Sequence, residues 1–263
     1  MSSFWSRILV GVVALPVVLG LVHLGGWWVF GLAAAAAAVA LHEYWLLTRP
    51  LRPLAPAGYV GAALALVAAE LSAVDWMVGG AMATFALAFL LKAISGTRQA
   101  ATASISATVM GATWVGLGLG FLILIRELPE EGHLAALTVL LAVWAGDTLA
   151  YFGGRLVGRH KMAPRTSPGK TWEGFVFGTA ATVFVTFVAL YEEDFLSIPQ
   201  SLVLGGVLAV AAPLGDLFES LLKRDMDVKD TGRLLGGHGG MLDRIDALLF
   251  AAPAAYFTIL AFS

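Results

Sequence analysis

The chain has 263 residues, of which 59% are hydrophobic and only 13% are charged, and its formal net charge is -2. A soluble domain normally carries about 25% charged residues, so this composition, with a mean hydropathy of +0.84, excludes an ordinary soluble protein and predicts an integral membrane protein. Cysteine is absent, which excludes disulfides, thiolate metal sites and thiol nucleophiles.

Nine apolar segments approach the length that a membrane-spanning helix needs, roughly 20 mostly apolar residues. They lie near residues 8–24, 27–47, 54–74, 76–94, 103–125, 134–154, 172–190, 200–222 and 244–262. The alanine-rich stretch at 31–40 indicates close packing, because small side chains let membrane helices approach one another. The sequence therefore predicts an all-α fold, a polytopic membrane helix bundle with about nine transmembrane helices.

The distribution of cations predicts the orientation of this bundle. Of the sixteen Lys and Arg residues, all except Arg126 fall on one side of the nine-span arrangement. An excess of Lys and Arg marks the cytoplasmic side, so we expect a cytoplasmic N-terminus and cytoplasmic loops at 155–171 and 223–243. We divide the chain into N-terminal transmembrane helices, 1–130, and a C-terminal region, 131–263, that carries the candidate catalytic residues.

Residues 220–246 hold ten of the chain's 34 charged residues and the sequence Gly-Gly-His-Gly-Gly at 236–240. Charges near the bilayer are costly, so such a cluster indicates a functional site. Carboxylates suit a hard divalent cation, Lys and Arg suit phosphate, and glycines let backbone N–H groups approach an anion. Together they predict metal-assisted phosphoryl or nucleotidyl transfer at the membrane face.

Helical spacing predicts that the polar residues converge. Those of the eighth segment follow an i, i+3, i+4, i+7 pattern, which puts them on one helix face; they are Asp216, Glu219, Ser220 and Lys223. Asp243 and Asp246 are three residues apart and share a face of the ninth segment. We therefore expect the four carboxylates to meet at the cytoplasmic ends of the two helices.

The spacing from Ser220 to Asp246 resembles the signature of bacterial phosphatidate cytidylyltransferases, also called CDP-diacylglycerol synthases. The matching positions read Ser220-x-Leu222-Lys223-Arg224-x4-Lys229-Asp230-x-Gly232-x2-Leu235-Gly236-x-His238-Gly239-Gly240-Met241-x-Asp243-Arg244-Ile245-Asp246. Gly236 stands where many members of the family have Pro.

A second block, from Trp144 to Gly174, is similar to the family's segment before the seventh helix. The usual Ser-Pro-Lys-Lys-Thr reads Ser167-Pro168-Gly169-Lys170-Thr171 here, so Gly169 replaces the first Lys of the family's pair while Lys170 remains. The resemblance covers residues 140–262. The first 130 residues match only in hydropathy, apart from His42-Glu43-Tyr44-Trp45, where Glu43 could equally pair with a neighbouring Arg.

This resemblance implies transfer of a cytidylyl group from CTP to phosphatidic acid. It implies Mg²⁺, or alternatively Mn²⁺, as the cofactor, with Asp216, Asp243 and Asp246 as the metal ligands. The implied catalytic residues are Asp216, Glu219, Lys223, Arg224, His238, Asp243 and Asp246. The implied substrate-binding residues are Asp147, Ser167, Lys170, Ser220, Lys229, Gly239, Gly240 and Arg244. The lipid phosphate is already a nucleophile, so His238 is expected to donate to phosphate and not to act as a base.

The same resemblance implies a place in the cell and a set of partners. We expect an integral protein of the bacterial cytoplasmic (inner) membrane whose active site faces the cytoplasm. Its partners would be CTP, phosphatidic acid, membrane lipids and a second copy of the chain in a homodimer, with no nucleic acid.

Two other classes of function stay open on the sequence. A related enzyme could use CTP on another lipid, as polyprenol kinases and archaeal-type lipid cytidylyltransferases do. A transporter would agree with nine spans and with Asp147, Asp216 and Glu219 inside apolar segments. Against a transporter, the charges lie at one face and not at the midplane, and the two halves lack matching interrupted helices.

Overall fold

A computed structural model describes residues 3–96, 100–191, 193, 195–232 and 239–262 of the chain. Within these ranges the fold is all-α apart from one short hairpin and a 3-10 turn at Arg49–Leu51. The helices are α1 (Ser3–Leu24), α2 (Trp27–Leu47), α3 (Ala55–Glu70), α4 (Val74–Ile94), α5 (Ala101–Arg126), α6 (Gly132–Val157), α7 (Trp172–Ala189), α8 (Ile198–Asp225) and α9 (Leu242–Leu260). Each predicted segment coincides with one helix, which confirms the predicted fold class.

Six helices in the described part of the chain are long and apolar enough to cross a membrane, namely α2, α4, α5, α6, α7 and α8. The outer surface carries large exposed apolar side chains such as Trp76, Phe85 and Phe184, as expected where the solvent is lipid. The chain is therefore a polytopic membrane protein. The number of nine membrane spans stays a prediction, since α3 has only 16 residues and three charged residues lie in the first turns of α9. The cytoplasmic N-terminus stays a prediction as well.

Small residues let the helices pack closely. Ala33, Ala37 and Ala40 of the alanine-rich stretch are buried, which confirms that this stretch serves packing. Gly118 of α5 touches α9 so closely that a methyl group there would lie 2.9 Å from the backbone of Leu249. Since apolar side chains gain little by leaving lipid, such close backbone contacts carry much of the association between membrane helices.

The segment between α6 and α7 corrects the sequence analysis, which treated residues 155–171 as a loop. Strands β1 (Lys161–Ala163) and β2 (Ser167–Thr171) form an antiparallel hairpin, and Lys161 pairs with Thr171. Thr171 then caps α7, because its hydroxyl accepts a hydrogen bond from the Gly174 amide (3.1 Å). The hairpin therefore holds Lys170 on an ordered strand.

Arg126, the one cation predicted on the far side, has a structural contact there. Its guanidinium donates hydrogen bonds to the carbonyls of Val22 (2.7 Å) and His23 (2.9 Å), at the end of α1. The adjacent Glu127 accepts one from the Gly26 amide (3.1 Å). These contacts satisfy helix-end backbone groups and tie the α1–α2 turn to α5.

The predicted orientation can be tested across α6 because the chain has no cysteine. Glu130→Cys and Pro164→Cys place single thiols at exposed positions on either side of this helix. We expect a membrane-impermeant maleimide to label Glu130→Cys in intact cells, and to label Pro164→Cys only after permeabilisation, because cation-rich loops stay in the cytoplasm. Labelling of both thiols in intact cells would contradict the orientation.

Candidate active site

The polar face of α8 is the base of the candidate site. The Ser220 hydroxyl donates to Asp216 Oδ1 (3.3 Å), and the Lys223 ammonium donates to Glu219 Oε2 (2.5 Å). Both pairs are four residues apart, so the predicted stripe does share one face. Glu219 is 1% exposed, and a buried carboxylate of this kind needs a partner charge to offset its lost hydration.

Lys223 also joins α8 to α9. Its ammonium lies 2.6 Å from Asp243 Oδ1 while it holds Glu219. The other oxygen, Oδ2, accepts hydrogen bonds from the Thr231 amide (3.1 Å), the Thr231 hydroxyl (2.9 Å) and the Gly240 amide (2.8 Å). Asp243 thus holds the two ends of the glycine-rich loop together, which we call the loop neck (Thr231–Gly232 and Gly239–Leu242).

Asp246 brings the carboxylates of three helices together. It is 8% exposed, and the charges of Glu219, Asp216 and Asp147 all repel it. Glu219 Oε1 is buried and has no hydrogen-bond partner in the described part of the chain. The structure therefore brings the predicted carboxylates of α8 and α9 together, with the predicted substrate-binding residue Asp147 of α6 near them.

Two lysines now neutralise part of this negative charge. Lys223 lies between Glu219 and Asp243, and the Lys170 ammonium of β2 is 2.9 Å from Asp216 Oδ2. Among residues 3–96, 100–191, 193, 195–232 and 239–262, no three acidic or histidine side chains are already arranged to hold a metal ion. The excess of carboxylates over ammonium groups, and the unpartnered Glu219 oxygen, nevertheless suit a hard divalent cation. The magnesium site stays a prediction.

The hairpin docks on α8 through Lys170, a predicted substrate-binding residue, and Arg224, a predicted catalytic residue. Lys170 donates to the Pro213 carbonyl (3.3 Å) as well as to Asp216, and Arg224 Nε donates to the Thr166 carbonyl (3.2 Å). Ser167 begins β2 and pairs with Ala163. The hairpin therefore closes one side of the site.

Asp147 lines a small cavity between α6, α7 and α8. The cavity has a volume of about 30 Å³ and is also lined by Gly146, Thr179 and Pro213. The Asp147 carboxylate is repelled by Asp216 and attracted by Lys170. Asp147 thus lies near Asp216 and Lys170, and its role in substrate binding stays a prediction.

The remaining predicted site residues either lie around the loop neck or fall outside the residues that the structure describes. Lys229 and Arg244 are exposed on either side of the neck. Gly239 has φ +80°, and a Cβ there would lie 2.7 Å from Asp243 Oδ2, so this position favours glycine. The Gly240 amide is used internally by Asp243. His238 lies outside the described residues.

Glu43 of α2 is the residue that the sequence analysis did not place in the site. It is 3% exposed, and its Oε2 accepts a hydrogen bond from the Leu242 amide (2.9 Å) at the start of α9. A charged residue inside an apolar span was the available signal. The contact itself joins residues 199 apart in sequence, which no local pattern indicates.

Comparison with known proteins places this arrangement in a family. The model of the "Cytidylyltransferase family" matches residues 5–262. A relative from Staphylococcus haemolyticus, "Phosphatidate cytidylyltransferase", is 36% identical over 94% of this chain and 95% of its own length. A protein of the same name from Bacillus subtilis is 35% identical over the full length of both chains. The chain belongs to the cytidylyltransferase family.

Proposed function

We propose that the chain is a CTP:phosphatidate cytidylyltransferase of phospholipid biosynthesis. The observation that carries the proposal is the full-length similarity to relatives that bear this name. The site agrees with it chemically, because carboxylates for a cation and ammonium groups for phosphates lie together at one end of the bundle. The alternatives, a kinase or cytidylyltransferase for another lipid and a transporter, are not favoured by these relatives.

The proposed reaction joins two polyanions. A phosphate oxygen of phosphatidic acid attacks the α-phosphorus of CTP, the bond from that phosphorus to the bridging oxygen breaks, and pyrophosphate leaves with the electron pair. The products are CDP-diacylglycerol and pyrophosphate, and no strong base is required. Lys170, Lys223 and Arg224 would reduce the repulsion between the substrates, which is the first barrier to the reaction.

We further propose Mg²⁺, with Mn²⁺ as the alternative, as the cation of this site. Asp216, Asp243 and Asp246 would hold it, and when bound it supplies positive charge to the phosphates of CTP. Asp243 can join the other two only if its Oδ1 releases Lys223, since Oδ2 already accepts three hydrogen bonds. Release of Lys223 would leave its ammonium available to the substrate phosphates.

The setting of the site is part of the proposal. The cation-rich segments that border it support a cytoplasmic face in the bacterial inner membrane. CTP would arrive from the cytoplasm and phosphatidic acid laterally, at headgroup depth. A homodimer stays a prediction.

The direct test is turnover by the purified protein in lipid–detergent micelles. With labelled CTP and phosphatidic acid we expect CDP-diacylglycerol and pyrophosphate in equal amounts, no product after chelation with EDTA, and recovery on addition of Mg²⁺. Polyprenol and archaeal-type ether lipids serve as comparison acceptors. Preference for one of these lipids, or full activity in EDTA, would contradict the proposal.

Asp246→Asn should separate activity from stability. We expect kcat to fall by at least about a hundredfold, because loss of a required ligand costs several kcal/mol in the transition state. The melting temperature should be unchanged or higher, because the substitution removes a buried charge that three carboxylates repel. Asp225→Asn, an exposed change on α8, is the matched control and should keep activity within about twofold. Loss of activity only in proportion to lost stability would argue for a structural role.

Gly239→Ala should impair catalysis through the loop neck. A side chain is strained at φ +80° and would press on Asp243 Oδ2, so we expect kcat to fall by about tenfold or more. Gly206→Ala on α8 is the matched control, because a Cβ there meets nothing within 4 Å. The measurement is kcat and KM for CTP and for phosphatidic acid in both variants. Equal values in Gly239→Ala and Gly206→Ala would show that displacing the backbone of the neck does not affect catalysis.

A further inference from the structure

Glu43 is a buried carboxylate that the reaction described above does not use. It lies near the end of α2, among the buried residues Leu41, Tyr44 and Trp45. The sequence analysis allowed a pairing with a neighbouring Arg, but within the described ranges no Lys or Arg forms an ion pair with it. One oxygen accepts a hydrogen bond from the Leu242 amide, and the other, Oε1, is buried and has no hydrogen-bond partner among the described residues. An uncompensated buried oxygen is costly, so the contacts that this carboxylate makes must offset the cost.

Both segments of the loop neck contact the Glu43 carboxylate. A Cβ at Gly232 would overlap Glu43 Oε1 and lie 2.7 Å from its Cδ, while a Cβ at Gly240 would overlap Oε2. Gly232 and Gly240 therefore come within contact distance of Glu43 because they lack side chains. Leu242, two residues beyond Gly240, donates its amide to the same group.

Asp243 holds the same neck from the side of α8. It accepts hydrogen bonds from Thr231 and Gly240, while Glu43 contacts Gly232, Gly240 and Leu242 from the side of α2. The neck is thus held between two carboxylates on different helices. The place of Asp243, and of Asp246 one turn further along α9, depends on where α9 begins, and its first residue, Leu242, donates its amide to Glu43.

We propose that Glu43 is a positioning residue for the cytidylyl transfer. From α2 it fixes the loop neck and the first turn of α9, and through them it sets the positions of Asp243 and Asp246. This inference rests on the proposed function for its kinetic consequence but not for its structural one. It gives the N-terminal region a part in the active site, whereas the sequence analysis placed every candidate residue beyond position 146.

Hydrogen exchange and kinetics of Glu43 variants test the proposal. In Glu43→Ala the Leu242 amide should exchange at least about tenfold faster, because its acceptor is lost. kcat should fall by about tenfold or more while KM for phosphatidic acid stays within about threefold, since Glu43 is only 3% exposed and is proposed to act through the neck and not on the lipid. Glu43→Gln should restore both properties to near wild type, because the amide oxygen can accept the same hydrogen bond. Leu46→Ala, an exposed position on α2, should change neither.

A double-mutant cycle tests the contact itself. Gly232→Ala alone should impair turnover, because its methyl group would collide with Glu43, while Gly31→Ala on the same helix as Glu43 meets nothing within 4 Å and should be neutral. Added to Glu43→Ala, Gly232→Ala should cause little further loss, because the collision is gone. Independent effects that multiply would overturn the proposed contact.

The outcomes separate this inference from the proposed function. Exchange at Leu242 is measured without substrate, so a wild-type protein inactive on CTP and phosphatidic acid would refute the function while the exchange result still decides the contact. Unchanged exchange in Glu43→Ala overturns the inference even if the wild type is active. If Glu43→Ala does not fold, Gly232→Ala and Glu43→Gln decide: faster exchange in the first and near-wild-type exchange in the second support the inference, and any other pattern overturns it.

Discussion

The ion pairs of Lys223 connect the helices that form the candidate active site. One ammonium group lies between Glu219 of α8 and Asp243 of α9. Asp243 in turn accepts hydrogen bonds from Thr231 and Gly240. Without that cation, the buried Glu219 and the partly buried Asp243 on neighbouring helices would face each other without a counter-charge, and breaking a buried pair costs roughly 3–5 kcal/mol. Lys223 therefore links the polar face of α8 to the start of α9 and, through Asp243, to the loop neck.

The rest of the site follows from an imbalance of charge that this pair only partly corrects. Five carboxylates from α6, α8 and α9 interact with one another and with two lysines. Such an arrangement is costly for folding in a membrane, and it suits a protein that binds a cation together with a polyanion. The two lysines can pair with the carboxylates before substrates arrive and can then pair with the substrate phosphates. Stability and activity should thus conflict in this cluster, as they often do at functional sites.

The sequence was sufficient to predict the helices and the polar stripe, because both depend on local spacing. An apolar run of about twenty residues has few alternatives to a membrane helix, and Asp216, Glu219 and Lys223 share a face by helical periodicity alone. The hairpin at 161–171 was missed because its strands have only three and five residues and show no alternating apolar pattern. The contact of Glu43 with Leu242, and the use of Asp243 in fixing the neck, depend on long-range packing of helices and could not be read from spacing.

The most direct test of this account is a double-mutant cycle between Lys223 and Asp243, followed by unfolding in detergent. Lys223→Met leaves Glu219 and Asp243 unpaired, and Asp243→Asn removes one of these charges while keeping the shape of the side chain. We predict that the double variant is more stable than the sum of the single losses implies, by at least about 1 kcal/mol. Additive losses within about 0.5 kcal/mol would show that the two residues do not act on each other and would contradict the account.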